Sequence, residues 1–481
     1  MTDTPRQPSG AAHSCAIDRP FTPALRSYFR DLASLDWAAS VPSCVFVRDW
    51  ENLPERSPYD IDLMADAGEM DACASALVDA AASRGLECVV RPASTGVNIL
   101  VLDLVVAPDR RNWAYFEIAT RKRLTRDIVL TPGAMEIARD RGLPVPAPAW
   151  RYLINLLQAF RRGDLERYRP VLDACAHEEP DCSRLVSSTF GIDPADLTGM
   201  FAESASLTEW QKRLKVAVKP PKPSPKPRSI GNRLRLWAVR RFYFLPTPEL
   251  YAVTVHGPDG VGKSTACDTV SAMFAGFPVS LEAFHHVTSW KKSLAPQPAP
   301  DPQAPITFPR RLLRAGYRMA PELVRDGWRT LTGYHYYAKR LNERVFVGYL
   351  SRRVMLLDRY MYDMYVKQRI RGEIGPLGKL IGFTCCAAMR RPRRAILLTD
   401  IPDRIIERKQ ELSLDEIASY QRAMRRLLRR LVVNHTEIEV NGRSREEVAR
   451  AFARTIIQAI GPDLIQLMRY AASAPSLETY E

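Results

Sequence analysis

Gly257-Pro258-Asp259-Gly260-Val261-Gly262-Lys263-Ser264-Thr265 has the residue types and spacing of a loop built to hold phosphate. Glycines let successive backbone N–H groups turn inward around phosphate oxygens, and a helix N-terminus adds partial positive charge. Lys263 would then reach the β- and γ-phosphates, and the Ser264 hydroxyl would ligate Mg²⁺. Such a loop needs a strand before it and a helix after it. Residues 251–256 (YAVTVH) read as a short apolar strand, and residues 266–276 (ACDTVSAMFAG) as a helix. A phosphate-bound Mg²⁺ also needs an acid at the end of a neighbouring apolar strand. Residues 354–358 (VMLLD) supply it: Asp358 would hold Mg²⁺ through water, and Arg359 after it would neutralise transferring phosphoryl oxygens.

A second set of carboxylates lies near the N-terminus. Asp60 and Asp62 sit at i and i+2 of a strand, so both point to one face, and Asp103 falls in a later apolar strand (ILVLDLVV). Three carboxylates converging from adjacent strands are what a two-metal nucleotidyl transfer centre needs to hold Mg²⁺ against attacking and leaving oxygens.

These groups must be positioned by more than one domain, since 481 residues exceed an ordinary single core. Residues 20–135 alternate strands at 45–47, 60–65, 87–91 and 97–107 with a helix at 69–83, the pattern of an α+β domain. Residues 140–215 carry helical apolar spacing and predict a separate helical domain. Residues 249–462 alternate apolar strands with helical segments, which predicts a parallel sheet with crossover helices. Between them, residues 219–228 (KPPKPSPKPR) alternate cation and proline and favour extended polyproline II, so 216–248 reads as a linker leading into a basic connector helix at 230–244. A second proline cluster at 296–309 reads as a mobile loop inside the C-terminal domain.

Charge is concentrated rather than spread. Residues 211–241 hold eleven Lys and Arg and no acid, so of the net +15 only about +4 belongs to the rest of the chain. A protein that coats nucleic acid over its whole surface is not implied, and no specific nucleic acid is expected. The basic stretch fits either a solvated connector or a site for an anionic membrane surface or phosphate-rich ligand. No run of 18 apolar residues occurs, the N-terminus lacks a signal-peptide core, and nine cysteines are scattered without a C-x-x-C pair. The expectation is a cytoplasmic protein, able to sit peripherally on the inner membrane face.

GPDGVGKST, the Asp358-Arg359-Tyr360-Met361-Tyr362-Asp363 run and the downstream PDRIIERKQELS resemble the thymidylate kinase-like group of P-loop kinases, and more narrowly the type found in bacterial polysaccharide gene clusters. The resemblance covers roughly 249–460. It implies ATP and Mg²⁺ as cofactors. Gly257, Asp259, Gly260, Gly262, Lys263, Ser264 and Thr265 would form the nucleotide site, with Asp259 facing the acceptor. Arg359 would clamp donor and acceptor phosphates, and Arg408 and Lys409 would belong to a lid. Thymidylate kinases carry a catalytic Arg in the loop or the lid. Gly260 stands at the loop position here, so the resemblance assigns that role to Arg408. The nucleotide-binding helices of that family have no counterpart: this chain has Phe284-His285-His286, the proline cluster and a long helical stretch from 312 to 349.

The order strand, D-x-D, helix, strand, strand over about 40–120 resembles the nucleotidyltransferase fold. Its usual Gly-Ser turn is replaced by Arg48-Asp49-Trp50 and Asn52-Leu53-Pro54. The leading expectation is an ATP-dependent phosphotransferase acting on a nucleotide, a sugar or a lipid-linked acceptor. The alternatives are a nucleotidyltransferase with an auxiliary P-loop domain, and a nucleotide-regulated binding protein.

Overall fold

A computed structural model describes residues 19–473 except 49, 58–59, 95, 126–127, 164, 181, 194–206, 214–251, 276, 278–280, 286–320, 351–353, 390 and 410. The linker at 216–248, the proline cluster at 296–309, His286 and all but the first three residues of the basic stretch lie outside the described residues. The described residues fall into two compact units: residues up to 227 with 276–278 and those from 468 onward, and residues 228–275 with 279–467. No described helix is long and apolar enough to cross a membrane.

The first unit opens with α1 (Pro23–Ser34) and α2 (Trp37–Ser40), then β1 (Val45–Arg48), β2 (Ile61–Met64), α3 (Met70–Ser83), β3 (Glu87–Ala93), β4 (Gly96–Leu102) and β5 (Trp113–Ala119). The five strands form one mixed sheet in the order β1-β2-β5-β4-β3, in which only β2 and β5 run parallel. Two hairpins follow, β6 (Lys122–Arg123) with β7 (Val129–Leu130) and β8 (Ile137–Asp140) with β9 (Leu143–Pro146). Helices α4 (Pro148–Arg162), α5 (Leu165–Glu178), α6 (Cys182–Phe190) and α7 (Leu207–Arg213) complete it.

Period-two alternation on β1 and β2 feeds two cores. Phe46, Ile61 and Leu63 pack with Tyr28, Phe29 and Leu77 of α1 and α3. Val45, Val47 and Met64 pack on the opposite face with Leu153, Leu157 and Phe160 of α4. This shared core corrects the expected boundary between 20–135 and 140–215. The apolar stripe of α4 packs against α5 and α6 and also shares this core with β1 and β2.

The strand expected over 97–107 is shorter than its apolar run. β4 ends at Leu102, and the chain turns through a loop pinned by the Asp103 N–H donating to Asn112 O at 2.8 Å and by Asn112 Nδ2 donating to Asp103 O at 3.2 Å. The run WAYFEIA, for which no strand is expected above, is β5 at the centre of the sheet.

The second unit holds β10 (Ala252–His256), α8 (Lys263–Met273), β11 (Leu281–His285), α9 (Glu322–Leu350), β12 (Val354–Asp358), α10 (Met361–Ile370), α11 (Pro376–Ala388), β13 (Arg394–Thr399), α12 (Pro402–Arg408), α13 (Leu414–Arg430), β14 (His435–Glu439) and α14 (Arg445–Ser473) as far as residue 467. Its five strands are all parallel, in the order β11-β12-β10-β13-β14. The expected alternation of parallel strands and crossover helices over 249–462 is therefore present. β10 and β12 are buried along their whole lengths, as strands covered on both faces must be. The chain leaves β10 toward β11 and leaves β13 toward β14, on opposite sides. Sheets of this kind open a crevice where successive connections diverge, at the carboxyl ends of the strands.

Candidate functional site

The loop after β10 lies in that crevice. Gly257, Gly260 and Gly262 take φ values of 154, 92 and 98°, a region that side chains other than glycine avoid. Space demands glycine as well. A Cβ on Gly257 would stand 2.8 Å from Leu398 O, and one on Gly260 3.0 Å from Lys409 Cβ. The loop is thus wedged between the end of β13 and the last turn of α12. Gly262 caps α8, whose first turn carries Lys263, exposed Ser264 and exposed Thr265.

Lys263 is 6 % exposed, and its Nζ donates to Gly257 O and Pro258 O at 2.8 Å each. Burial pulls this ammonium below its ordinary pKa, and Asp259, 3.5 Å away, works against that pull. Ser264 Oγ donates to Asp358 Oδ2 at 3.0 Å. A serine hydroxyl beside a buried carboxylate at a helix start is a hard-oxygen pair suited to Mg²⁺.

Asp358 ends β12, in register with Val255 of β10, so the parallel pairing itself brings it to the loop. Arg359 follows with φ of 96°, its N–H donating to Val255 O at 3.3 Å. A non-glycine residue held there is strained, and what holds it is visible one turn on. Asp363 is buried at the start of α10, and Oδ2 accepts the Tyr360 N–H at 3.0 Å and lies 2.6 Å from His256 Nδ1. Its other oxygen accepts the Tyr420 hydroxyl. Burial works to raise the Asp363 pKa, but His256, Tyr420 and the Tyr360 N–H hold it well below the usual carboxylate range. The second Asp of the D-R-Y-x-Y-D run thus positions the arginine by clamping β10, α10 and α13 together.

The guanidinium of Arg359 reaches Asp259 Oδ1 at 2.8 Å, and Lys367 Nζ of α10 reaches Asp259 Oδ2 at 2.5 Å. Burial would raise the Asp259 pKa, but Lys263, Lys367 and Arg359 together hold it at about 2. A carboxyl held below its ordinary value stabilises the fold above about pH 4, and that contribution is lost as the pH falls through 4 toward 2. Between pH 5 and pH 3 the gap in unfolding free energy between wild type and Asp259→Asn is expected to narrow by about 1 kcal/mol. Urea titrations at the two pH values measure it, and a constant gap would place the Asp259 pKa elsewhere.

Arg408 ends α12 beside the loop, as its proposed lid role needs, but its Nη1 is 2.9 Å from Asp400 Oδ2 at the end of β13. Its guanidinium is thus paired with the carboxylate that follows β13. His285 ends β11 in register with Asp358.

In the first unit, Asp60 and Asp62 do share a face, and the third carboxylate with them is Glu117. One oxygen from each lies within 4.8 Å of the others. Glu117 of β5 is the register partner of Asp62 on β2, so parallel pairing brings them side by side. This corrects the assignment of Asp103, which lies beyond the far end of β4, whereas Asn98 is the β4 residue opposite Glu117. The signal that could have found Glu117 is an acid inside an otherwise apolar central strand.

Cations crowd this cluster: Arg48 Nη2 is 2.5 Å from Asp62 and 3.8 Å from Asp60, and Lys122 pairs with Asp62. Burial and the neighbouring Asp62 raise the Asp60 pKa. At Asp62 burial acts in the same direction, but Lys122 and Arg48 overcome it and lower the pKa.

A scan against models of known protein families matches none of them, and no curated protein sequence matches the chain.

Proposed function

We propose that the second unit is a P-loop, ATP-dependent phosphotransferase resembling thymidylate kinase, acting on a nucleotide, sugar or lipid-linked acceptor. The observation that carries this reading is the meeting of three elements at one sheet edge. A glycine loop in left-handed backbone leads into Lys263, Ser264 Oγ stands 3.0 Å from Asp358, and Arg359 arches over the loop to Asp259.

Lys263 and the loop N–H groups would bind the β- and γ-phosphates. Ser264 and Asp358 would hold Mg²⁺, which supplies charge neutralisation when bound. Arg359 would stabilise negative charge developing on the transferred group, so the work is positioning and electrostatics. Incubating the protein with γ-labelled ATP, Mg²⁺ and fractionated metabolites and lipids tests the reading. An acceptor gains labelled phosphate with wild type and not with Lys263→Ala. Label appearing equally with both proteins would overturn it.

A second reading applies to the first unit, as a nucleotidyltransferase-like site. It is favoured by the register pairing of Asp62 with Glu117 beside Asp60. These three residues would hold the divalent ions, and any ion entering competes with Arg48 and Lys122 for Asp62. On this reading Glu117→Gln and Asp62→Asn lower Mn²⁺ binding, followed by electron paramagnetic resonance, at least about tenfold. Asp103→Asn leaves it unchanged. Equal binding by Glu117→Gln and wild type would remove the third ligand and the reading with it.

A further inference from the structure

α9 and α11 pack side by side and are drawn together at glycines. A Cβ on Gly327 of α9 would stand 2.7 Å from Leu377 Cδ2 and 3.0 Å from Ile381 Cδ1, and one on Gly378 of α11 would stand 2.8 Å from Thr330 Oγ1. On one side of this seam Asp326 accepts the Gly378 N–H at 2.9 Å. The side of Gly327 is different. Val324 and Leu331 lie at i−3 and i+4 of Gly327 and share its side of the helix, with Trp328 one turn past Val324. Leu380 stands one turn past Leu377. None of the four is covered: Val324 is 49 % exposed, Trp328 50 %, Leu331 45 % and Leu380 63 %.

Single apolar side chains in water need no explanation, and Ile401, Leu414 and Val432 of this unit stand that way, at helix starts or in a turn. Four along one seam, joined through the contact of Gly327 with Leu377 and Ile381, make a continuous apolar patch. Its charged surroundings point to what covers it. Arg325, Trp328 and Leu331 follow at i, i+3 and i+6, so a cation borders the indole on the side away from Leu331. Arg329 is exposed beside it, and α11 carries one charge, the exposed Lys379, and no acid. Asp326 is engaged by α11, which leaves Glu322 as the exposed acid of these turns. The chain reaches α9 from residues 309–320 (PRRLLRAGYRMA), which hold four Arg and no acid, so covalent connection alone sets further positive charge beside the patch.

An anionic bilayer surface matches both parts. It offers an interface where Val and Leu leave water and an indole sits at headgroup level, and it offers negative charge to the flanking cations. A nucleic acid would engage the arginines and leave the leucines in water.

We propose that the α9–α11 seam is a docking surface for an anionic lipid bilayer. Val324, Trp328, Leu331 and Leu380 enter the headgroup boundary, and Arg325 and Arg329 meet the lipid phosphates. The proposal is independent of the phosphotransferase reading, and it concerns a surface separate in sequence from the basic stretch at 211–241.

The test is sedimentation of the full chain with vesicles of phosphatidylcholine alone or of equimolar phosphatidylcholine and phosphatidylglycerol. Wild type is expected to bind the anionic vesicles at least about tenfold more tightly. Trp328→Ser combined with Leu380→Ser is expected to weaken that binding at least about tenfold, because two large apolar side chains no longer leave water. Arg325→Gln combined with Arg329→Gln is expected to weaken it at least about fivefold. All four side chains lie outside the core, so thermal midpoints should stay within a few degrees of wild type. The stretch at 211–241 is intact in every variant, so a loss on removing uncharged side chains assigns the contact to the seam.

Equal vesicle binding by wild type and the Trp328→Ser, Leu380→Ser variant overturns the proposal, as does equal binding to the two vesicles or none to either. A wild-type dimer in light scattering that the same variant converts to a monomer also overturns it, since the seam would then be covered by a second copy of the chain.

Discussion

Lys263→Met is expected to lower ATP turnover by about 10³-fold while shifting the unfolding midpoint by only a few degrees. The ammonium is buried and donates to two carbonyls of its own loop, Gly257 O and Pro258 O. On the phosphotransferase reading, phosphate would take the place of these two carbonyls. Removing it takes two charge-assisted hydrogen bonds from the fold, which costs the buried carbonyls of Gly257 and Pro258 a donor. Methionine keeps most of the aliphatic stem and its packing, and a buried charge that burial itself disfavours is removed at the same time. On the phosphotransferase reading, what cannot be replaced is the cation at the phosphates. Steady-state turnover and a thermal melt on the same preparation measure the two effects. Turnover within tenfold of wild type would detach the loop from phosphate chemistry, and a collapse of the melt would make Lys263 a structural residue instead.

How far such sites are legible in a sequence depends on how local their constraints are. The loop at 257–265 is readable because its backbone excludes side chains at three places and each exclusion is spelled glycine. Asp358 is readable because an acid closing an apolar strand next to that loop has few other reasons to be there. Glu117 and Lys367 are different. Glu117 belongs to its cluster only because β5 pairs in parallel with β2, a partner more than fifty residues earlier. Lys367 reaches Asp259 only because Asp363 sets the start of α10 against His256. Both positions are fixed by register and helix phase across long loops, and neither leaves a local pattern. Asp103 shows the converse failure. Its apolar setting imitates a strand interior, and the hydrogen bonds to Asn112 that end the strand there cannot be read from composition. The joining of 140–215 to the sheet was hidden for a related reason. The stripe on α4 announces that it must be buried, but not against what.

Arg359 offers the sharpest separation of function from stability. On the phosphotransferase reading, replacing it with alanine or with glycine is expected to lower turnover about 10²- to 10³-fold, with ATP affinity changed far less, because its charge would act on what develops during transfer. The two variants should nonetheless differ in stability. Arg359 holds a φ of 96°, a conformation that costs an L-residue about 1–2 kcal/mol and glycine almost nothing. Alanine retains that cost and loses the ion pair with Asp259, whereas glycine loses the ion pair and sheds the cost. Arg359→Gly should therefore be more stable than Arg359→Ala by about 1 kcal/mol in urea unfolding, offset slightly by the greater freedom of glycine in the unfolded chain. Equal stabilities would mean that Asp363 and the Tyr360 N–H do not hold the backbone in the left-handed region. A loss of ATP affinity with turnover intact would make the guanidinium a ground-state contact. Loss of turnover with the glycine variant the more stable of the two is the result expected of strain kept for the arginine's task. The fold would then be bearing an unfavourable backbone at residue 359 so that a cation can arch over the phosphate loop.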